Sequence, residues 1–544
     1  MAVRHAQDVH NEQRDGRYVL DPEEARIEYG DAVANKLKLS KHDKYVLWPQ
    51  PTDSPHDPQN WSDGKKALML FIATIAAFVP DFCSGVGIAT LFNLAAQFNT
   101  SVNNINNLTS NWSIFLIGPG GVVAVLFMRK FGRLPVMFWS QVLGLAFQIG
   151  CTFSPNLTTF AAMRCLNAFF SCAPQVTGLY TIVDMFPVHL VHRKVTIWTF
   201  GYVVSPFVSP WLLGYLAARQ SWRWAYGVSC FYCGFVVFMI TFFFEETIYD
   251  RHLKPIPERP TSGLRYRIET LLGVTGWKLR KYRTTMWQAT IDIVNVLWRP
   301  QFFLTAVIGL ASFGFTIGIN VTNPVFLGSP KPIGYGYKQD IVSTIYLTPI
   351  VGVLLGEVLA NLFNKLAVYL SVRRDGGVFE SEDILIGTIP GLLIYVAGMV
   401  LFGWTIQHKA DIAGVVFGWG MVQVGSVFII VSVISYASAN FPGREGECSA
   451  LLNWARILGG FSVPYFQVKW VQRNGALQSF GVEGAVVAGV WLLCFPILFW
   501  KGKQIREIFS IKGQAPQDTF FDAKSVLQKD PKIADLPKEN AYAV

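Results

Sequence analysis

Twelve long apolar runs alternate with shorter polar stretches along the chain. They cover about residues 67–92, 112–128, 134–152, 158–186, 195–217 and 224–244, then 302–327, 341–363, 384–406, 412–439, 450–471 and 482–500. Each is close to the roughly 20 residues that a helix rising about 1.5 Å per residue needs to cross a hydrocarbon core of roughly 30 Å. One polar stretch divides them six and six. The pattern predicts an all-α membrane protein, twelve transmembrane helices in two pseudo-symmetric six-helix bundles. The organisation it implies is a disordered cytoplasmic tail over 1–65, a first bundle over 66–247, a basic cytoplasmic connector over 248–300, a second bundle over 301–502 and a second cytoplasmic tail over 503–544.

Loop charge orients the runs. With the N-terminus inside, the inner loops carry Arg129, Lys130, Arg133, Arg193, Lys194, Lys365, Arg373, Arg374, Arg444 and the connector's cations from Arg251 to Arg299. The opposite loops hold fewer, so both termini are expected in the cytoplasm. The sequons at Asn99, Asn107 and Asn156 then fall outside and are expected to be glycosylated, whereas Asn111 sits too close to the membrane. Only 15% of the chain is charged and 51% is hydrophobic, against about a quarter charged in soluble domains. The net charge of +10 reads as topology, not nucleic-acid binding, because the cations concentrate in short loops.

Several chemistries are excluded. Cys230 and Cys233 form a C-x-x-C inside one apolar run. With no second pair or histidine cluster, they read as two small residues on a helix face, and neither metal nor cofactor is expected. No phosphate loop and no hydrolase motif occurs, which argues against a primary pump and against an enzyme.

Four charges inside the runs carry the most information, because a charge in hydrocarbon normally pairs or faces a cavity. Depth counted along the helices places Asp81 level with Arg164, and Glu357 level with Arg456. Two acid–base pairs are therefore expected, one per bundle, with Asp81 as the proton-coupling candidate. A purely architectural role is the alternative. Ser205, Pro206, Ser209 and Pro210 put two prolines on one face of run 5, a kinked gate helix. Gln175, Tyr180, Asn320, Asn323, Gln423 and Tyr436 are the polar candidates for substrate contact.

The chain resembles the major facilitator superfamily, in particular twelve-span fungal drug:proton antiporter-like transporters. The resemblance rests on Asp57-Pro58-Gln59-Asn60-Trp61-Ser62, Gly118-Pro119-Gly120-Gly121, Arg129-Lys130-Phe131-Gly132-Arg133-Leu134-Pro135, Ser221-Trp222-Arg223-Trp224, Glu245-Glu246-Thr247, Arg374-Asp375-Gly376-Gly377-Val378-Phe379-Glu380 and Asn453-Trp454-Ala455-Arg456. It implies alternating access around a site near the midplane. Arg129 stands where the family's loop motif normally has an Asp. Arg164 matches the arginine of the fourth-span motif, with Ala168 where a Gly is usual. Ser205-Pro206 and Ser209-Pro210 stand where Gly-Pro-x-x-Gly-Gly is typical.

The resulting expectation is a proton-coupled efflux pump of the plasma membrane. It would export a drug, toxin or fungal secondary metabolite, with the substrate, protons and the bilayer as partners and the monomer as working unit. Uptake of an organic cation such as a polyamine is the alternative, and a transporter-like membrane sensor is the alternative from another class.

Overall fold

The computed structural model describes residues 21–29, 31–40, 45–48, 50–249, 263–281, 283–331, 334–374, 381–441 and 444–509. The outer parts of both expected tails, part of the connector and the stretch 375–380 of the family motif lie outside these. The described residues are almost entirely helical, with one isolated bridge between Leu39 and Val46.

The first half contributes α1 (Asp63–Ala89), α2 (Trp112–Phe131), α3 (Arg133–Thr152), α4 (Leu157–Ser171), α5 (Ala173–Met185), α6 (Val188–Arg219) and α7 (Trp222–Phe243). From the connector comes α8 (Met286–Leu297). The second half contributes α9 (Pro300–Gly328), α10 (Gln339–Ile345), α11 (Leu347–Arg374), α12 (Thr388–His408), α13 (Ile412–Asn440), α14 (Glu445–Asn474) and α15 (Ala476–Ile508).

Ten helical segments among the described residues are long and apolar enough to span a bilayer. The other two expected runs are helical with more polar content or a break. Run 4 splits at Cys172 into α4 and α5. Pro174 explains the break, since it has no N–H and its ring clashes with the carbonyl four residues back. Pro349, just inside α11, has the same relation to the end of α10. Run 11 is α14, 30 residues with acids in its first turn.

Close approaches hold each half together. A Cβ on Gly85 of α1 would lie 3.0 Å from the Pro206 carbonyl and from Ser209 Cβ of α6. In the second half, Gly314 of α9 meets Gly459 of α14 with 2.9 Å for the same hypothetical atom. Small residues at crossing points let helices approach without a hydrophobic force between them. The expected gate helix is therefore the helix that packs tightly on α1.

The described residues before α1 correct the expectation of a disordered first tail. Val46 and Trp48 are buried, and Tyr45 stacks on His189 with ring centroids 5.2 Å apart. Asp57, also buried, accepts from the backbone N–H groups of Thr52 at 2.9 Å and Gln59 at 3.0 Å. Composition described this stretch as polar, but a carboxylate saturated by local donors and two anchoring aromatics fold it against the bundle.

Helix direction places the starts of α1 and α14 and the ends of α2, α5, α7 and α15 at one end of the molecule, called here the tail end. The far end carries the α1–α2, α3–α4, α6–α7 and α9–α10 connections.

Candidate functional site

Between the halves, α1, α2, α6, α9 and α14 enclose a cavity lined among others by Asp81, Ser84, Phe207, Phe313, Asn320 and Arg456. Water centres can reach about 30 Å³ of it, room for roughly two waters. An organic solute needs more, so its entry requires the halves to part at one end.

Asp81 is the centre of the polar wall. Gln175 Nε2 of α5 donates to its Oδ2 at 2.5 Å, and Arg456 Nη2 of α14 reaches the same oxygen at 3.5 Å. Both charges are buried. The second contact joins one half of the molecule to the other.

This overturns both expected pairings. Arg164 does not meet Asp81. Its Nη1 and Nη2 donate to the carbonyl oxygens of Cys83 and Ser84 at 2.5 and 2.9 Å, fastening α4 to α1. Glu357 does not meet Arg456, and both of its carboxylate oxygens are buried without a hydrogen-bond partner. Residue counting along an axis gives depth alone. Which neighbour a side chain meets depends on rotation about that axis and on tilt, and α1 and α14 each extend beyond their apolar runs.

The remaining candidates scatter. Asn320 lines the cavity, with its Oδ1 unpartnered. Pro206 lines it as well, while Ser205, Ser209 and Pro210 lie on the same helix. Asn323 and Gln423 are fully buried, with both amide heteroatoms of each unpartnered, and the Tyr436 hydroxyl is likewise unpartnered. None of these three lines the cavity. Asn107 accepts from Asn111 Nδ2 at 2.9 Å, Asn156 caps α4, and Asn99 has φ 48° in the far-end turn after α1. Cys233 faces Cys83 at 3.6 Å, whereas Cys230 points to Thr152.

Tyr180 belongs to a second polar cluster, at the tail end. Its hydroxyl donates to Glu447 Oε2 at 2.5 Å, across the halves. Arg129 Nη1 lies 2.7 Å from Glu447 Oε1 and 2.8 Å from Asp292 Oδ2. Arg444 Nη2 approaches the other Asp292 oxygen at 3.7 Å. Arg133 pairs with Asp184 at 3.2 Å and stands 4.3 Å over the Tyr180 ring. These side chains are all buried. Where the family motif has an acid, this chain has Arg129, and the acids come instead from α8 and α14.

Sequence reading missed Glu447, Asp292, Asp184 and Glu483. Glu447 and Asp292 lie outside the apolar runs, so a search for charges within runs passes over them. Glu483 sits at the edge of the last run, buried, with Gln467 Nε2 3.0 and 2.9 Å from its two oxygens. Asp184 was legible as an acid near the end of run 4.

The comparisons with known proteins agree with this architecture. The family model described as the Major Facilitator Superfamily matches residues 69–464. "Efflux pump radE" of Floropilus chiversii is 23% identical over 494 residues, 90% of this chain and 89% of that protein. "MFS-type efflux pump MFS2" of Trichophyton rubrum is 25% identical over 529 residues, 92% and 84% of the two chains. Among solved structures, the proton:xylose symporter XylE shares the fold with a TM-score of 0.54 at 13% identity, covering 86% of this chain and all of that one. Two helical halves closing on a shared cavity, and a family match that runs through both of them, make this multi-pass membrane protein a member of the Major Facilitator Superfamily.

Proposed function

We propose that the chain exports a small organic molecule across the plasma membrane by alternating access, with its tail end in the cytoplasm and Asp81 carrying a proton during the cycle. The single observation that carries this reading is the Asp81–Arg456 contact across the cavity. A buried ion pair joining two rigid halves holds them only while both members are charged. A proton on Asp81 removes the acid and frees Arg456, so the tie between the halves depends on protonation. The names of the radE and MFS2 relatives support export as the direction.

The test is flux in membrane vesicles of controlled orientation under an imposed pH gradient. Asp81→Asn is expected to abolish the dependence on the gradient. Unchanged dependence in a correctly inserted protein sinks the coupling role. Direction is read separately: deletion of the gene raises the intracellular level of an exported metabolite and lowers that of an imported one.

A further inference from the structure

We infer that the cavity takes a lipophilic organic acid, its anionic group held by Arg456. This rests on the reading above that the cavity is the transport site. Among the described residues, Arg456 is the only cation that lines the cavity. It is 5% exposed, its Nε has no hydrogen-bond partner, and its Nη2 contact to Asp81 at 3.5 Å is at the outer limit for such a bond. The shorter bond of Asp81 comes from Gln175. The guanidinium centre stands 4.7 Å over Phe313 and 5.3 Å over Tyr202. Those rings fix its position but offer no lone pair in place of an acceptor.

The unpartnered polar atoms here are one donor, Arg456 Nε, whose facing acid is shared with Gln175, and two acceptors, Gln175 Oε1 and Asn320 Oδ1. A carboxylate or phenolate fits the guanidinium geometry, and the unpartnered Asn320 Oδ1 offers an acceptor to a hydroxyl on the ligand. Ile88, Ile114, Val203, Phe207 and Ile317 supply an apolar surround. An ammonium would instead meet Arg456 and compete with Gln175 for an acid already engaged.

The experiment uses the full-length protein in lipid nanodiscs and a matched pair of probes, 2-naphthoate and 2-naphthylmethylammonium. Calorimetry in two buffers of different ionisation enthalpy reads affinity and proton exchange together. We expect the acid to bind at least about tenfold tighter. Arg456→Gln should remove that preference, Arg456→Lys should restore part of it, and Asp81→Asn should keep acid binding. Tighter binding of the amine, or no binding of either probe, overturns the inference, and this comparison needs no variant. Amine binding with proton release would defeat the acid but keep Asp81 as the proton carrier. Acid binding combined with unaltered gradient dependence in Asp81→Asn would do the reverse.

Discussion

The two ends of the interface between the halves are built from different chemistry. At the tail end, Arg129, Asp292, Glu447, Tyr180 and Arg444 close the gap with buried charge. At the far end, among the described residues, the hydrogen bonds between the halves are neutral: the Tyr215 and Thr344 hydroxyls lie 2.7 Å apart, and Gln339 Nε2 donates to the Ala89 carbonyl at 3.1 Å. A neutral hydrogen bond is worth about 1 kcal/mol net, because water replaces it on opening. Buried charges behave differently. Removing one member strands the others in low dielectric, at about 3–5 kcal/mol. The far end can therefore open contact by contact, whereas the tail end has to part and hydrate as a unit.

The comparison also changes the role of the connector. Its helix α8 places Asp292 against Arg129 of the first half and near Arg444 of the second. The segment that links the halves thus supplies one of the charges that close them.

The largest effect expected from a single substitution is at Glu447. Glu447→Ala removes one of the acids on Arg129 and leaves the Tyr180 hydroxyl without its acceptor. A loss of about 3–5 kcal/mol of tail-end closure is expected, read as faster hydrogen exchange in the first turns of α14 and as lower thermal stability. Exchange unchanged from the parent protein would mean that the charges do not hold this end. Next is Tyr180→Phe, which deletes one hydrogen bond to a carboxylate. About 1.5–3 kcal/mol is expected, with the same readouts and with the Arg129 contacts intact. The smallest is Tyr215→Phe at the far end, at about 1 kcal/mol or less. An effect there as large as that of Glu447→Ala would erase the distinction between the ends.

Much of the architecture was legible because a bilayer imposes it. Hydrocarbon forces backbone polar groups into helices, and the required length appears directly as apolar runs. The cavity residues Asp81 and Arg456 were legible as costly charges, and Asn320 as a polar residue in an apolar helix. Their partners were not. Asp81 and Arg456 stand 375 positions apart in sequence, and depth arithmetic assigned each to a neighbour in its own half. Arg164 looked like a counter-ion and proved to be a clasp on the α1 backbone. Glu447 and Asp292 escaped notice because, outside an apolar run, a buried acid looks the same as a solvated one.

By itself, then, the sequence determined the class of fold, its division into two sets of six spans, and which charges could not be left without a purpose. Apolar length and the cost of charge in hydrocarbon are properties of each segment alone. Only the tertiary structure decided that Asp81 belongs with Arg456, that Arg129 draws its acids from α8 and α14, and that the two ends close by different means. Those outcomes depend on how each helix is rotated and tilted against its neighbours. That choice is made by close contacts such as Gly85 on Pro206 and Gly314 on Gly459, which no single run encodes.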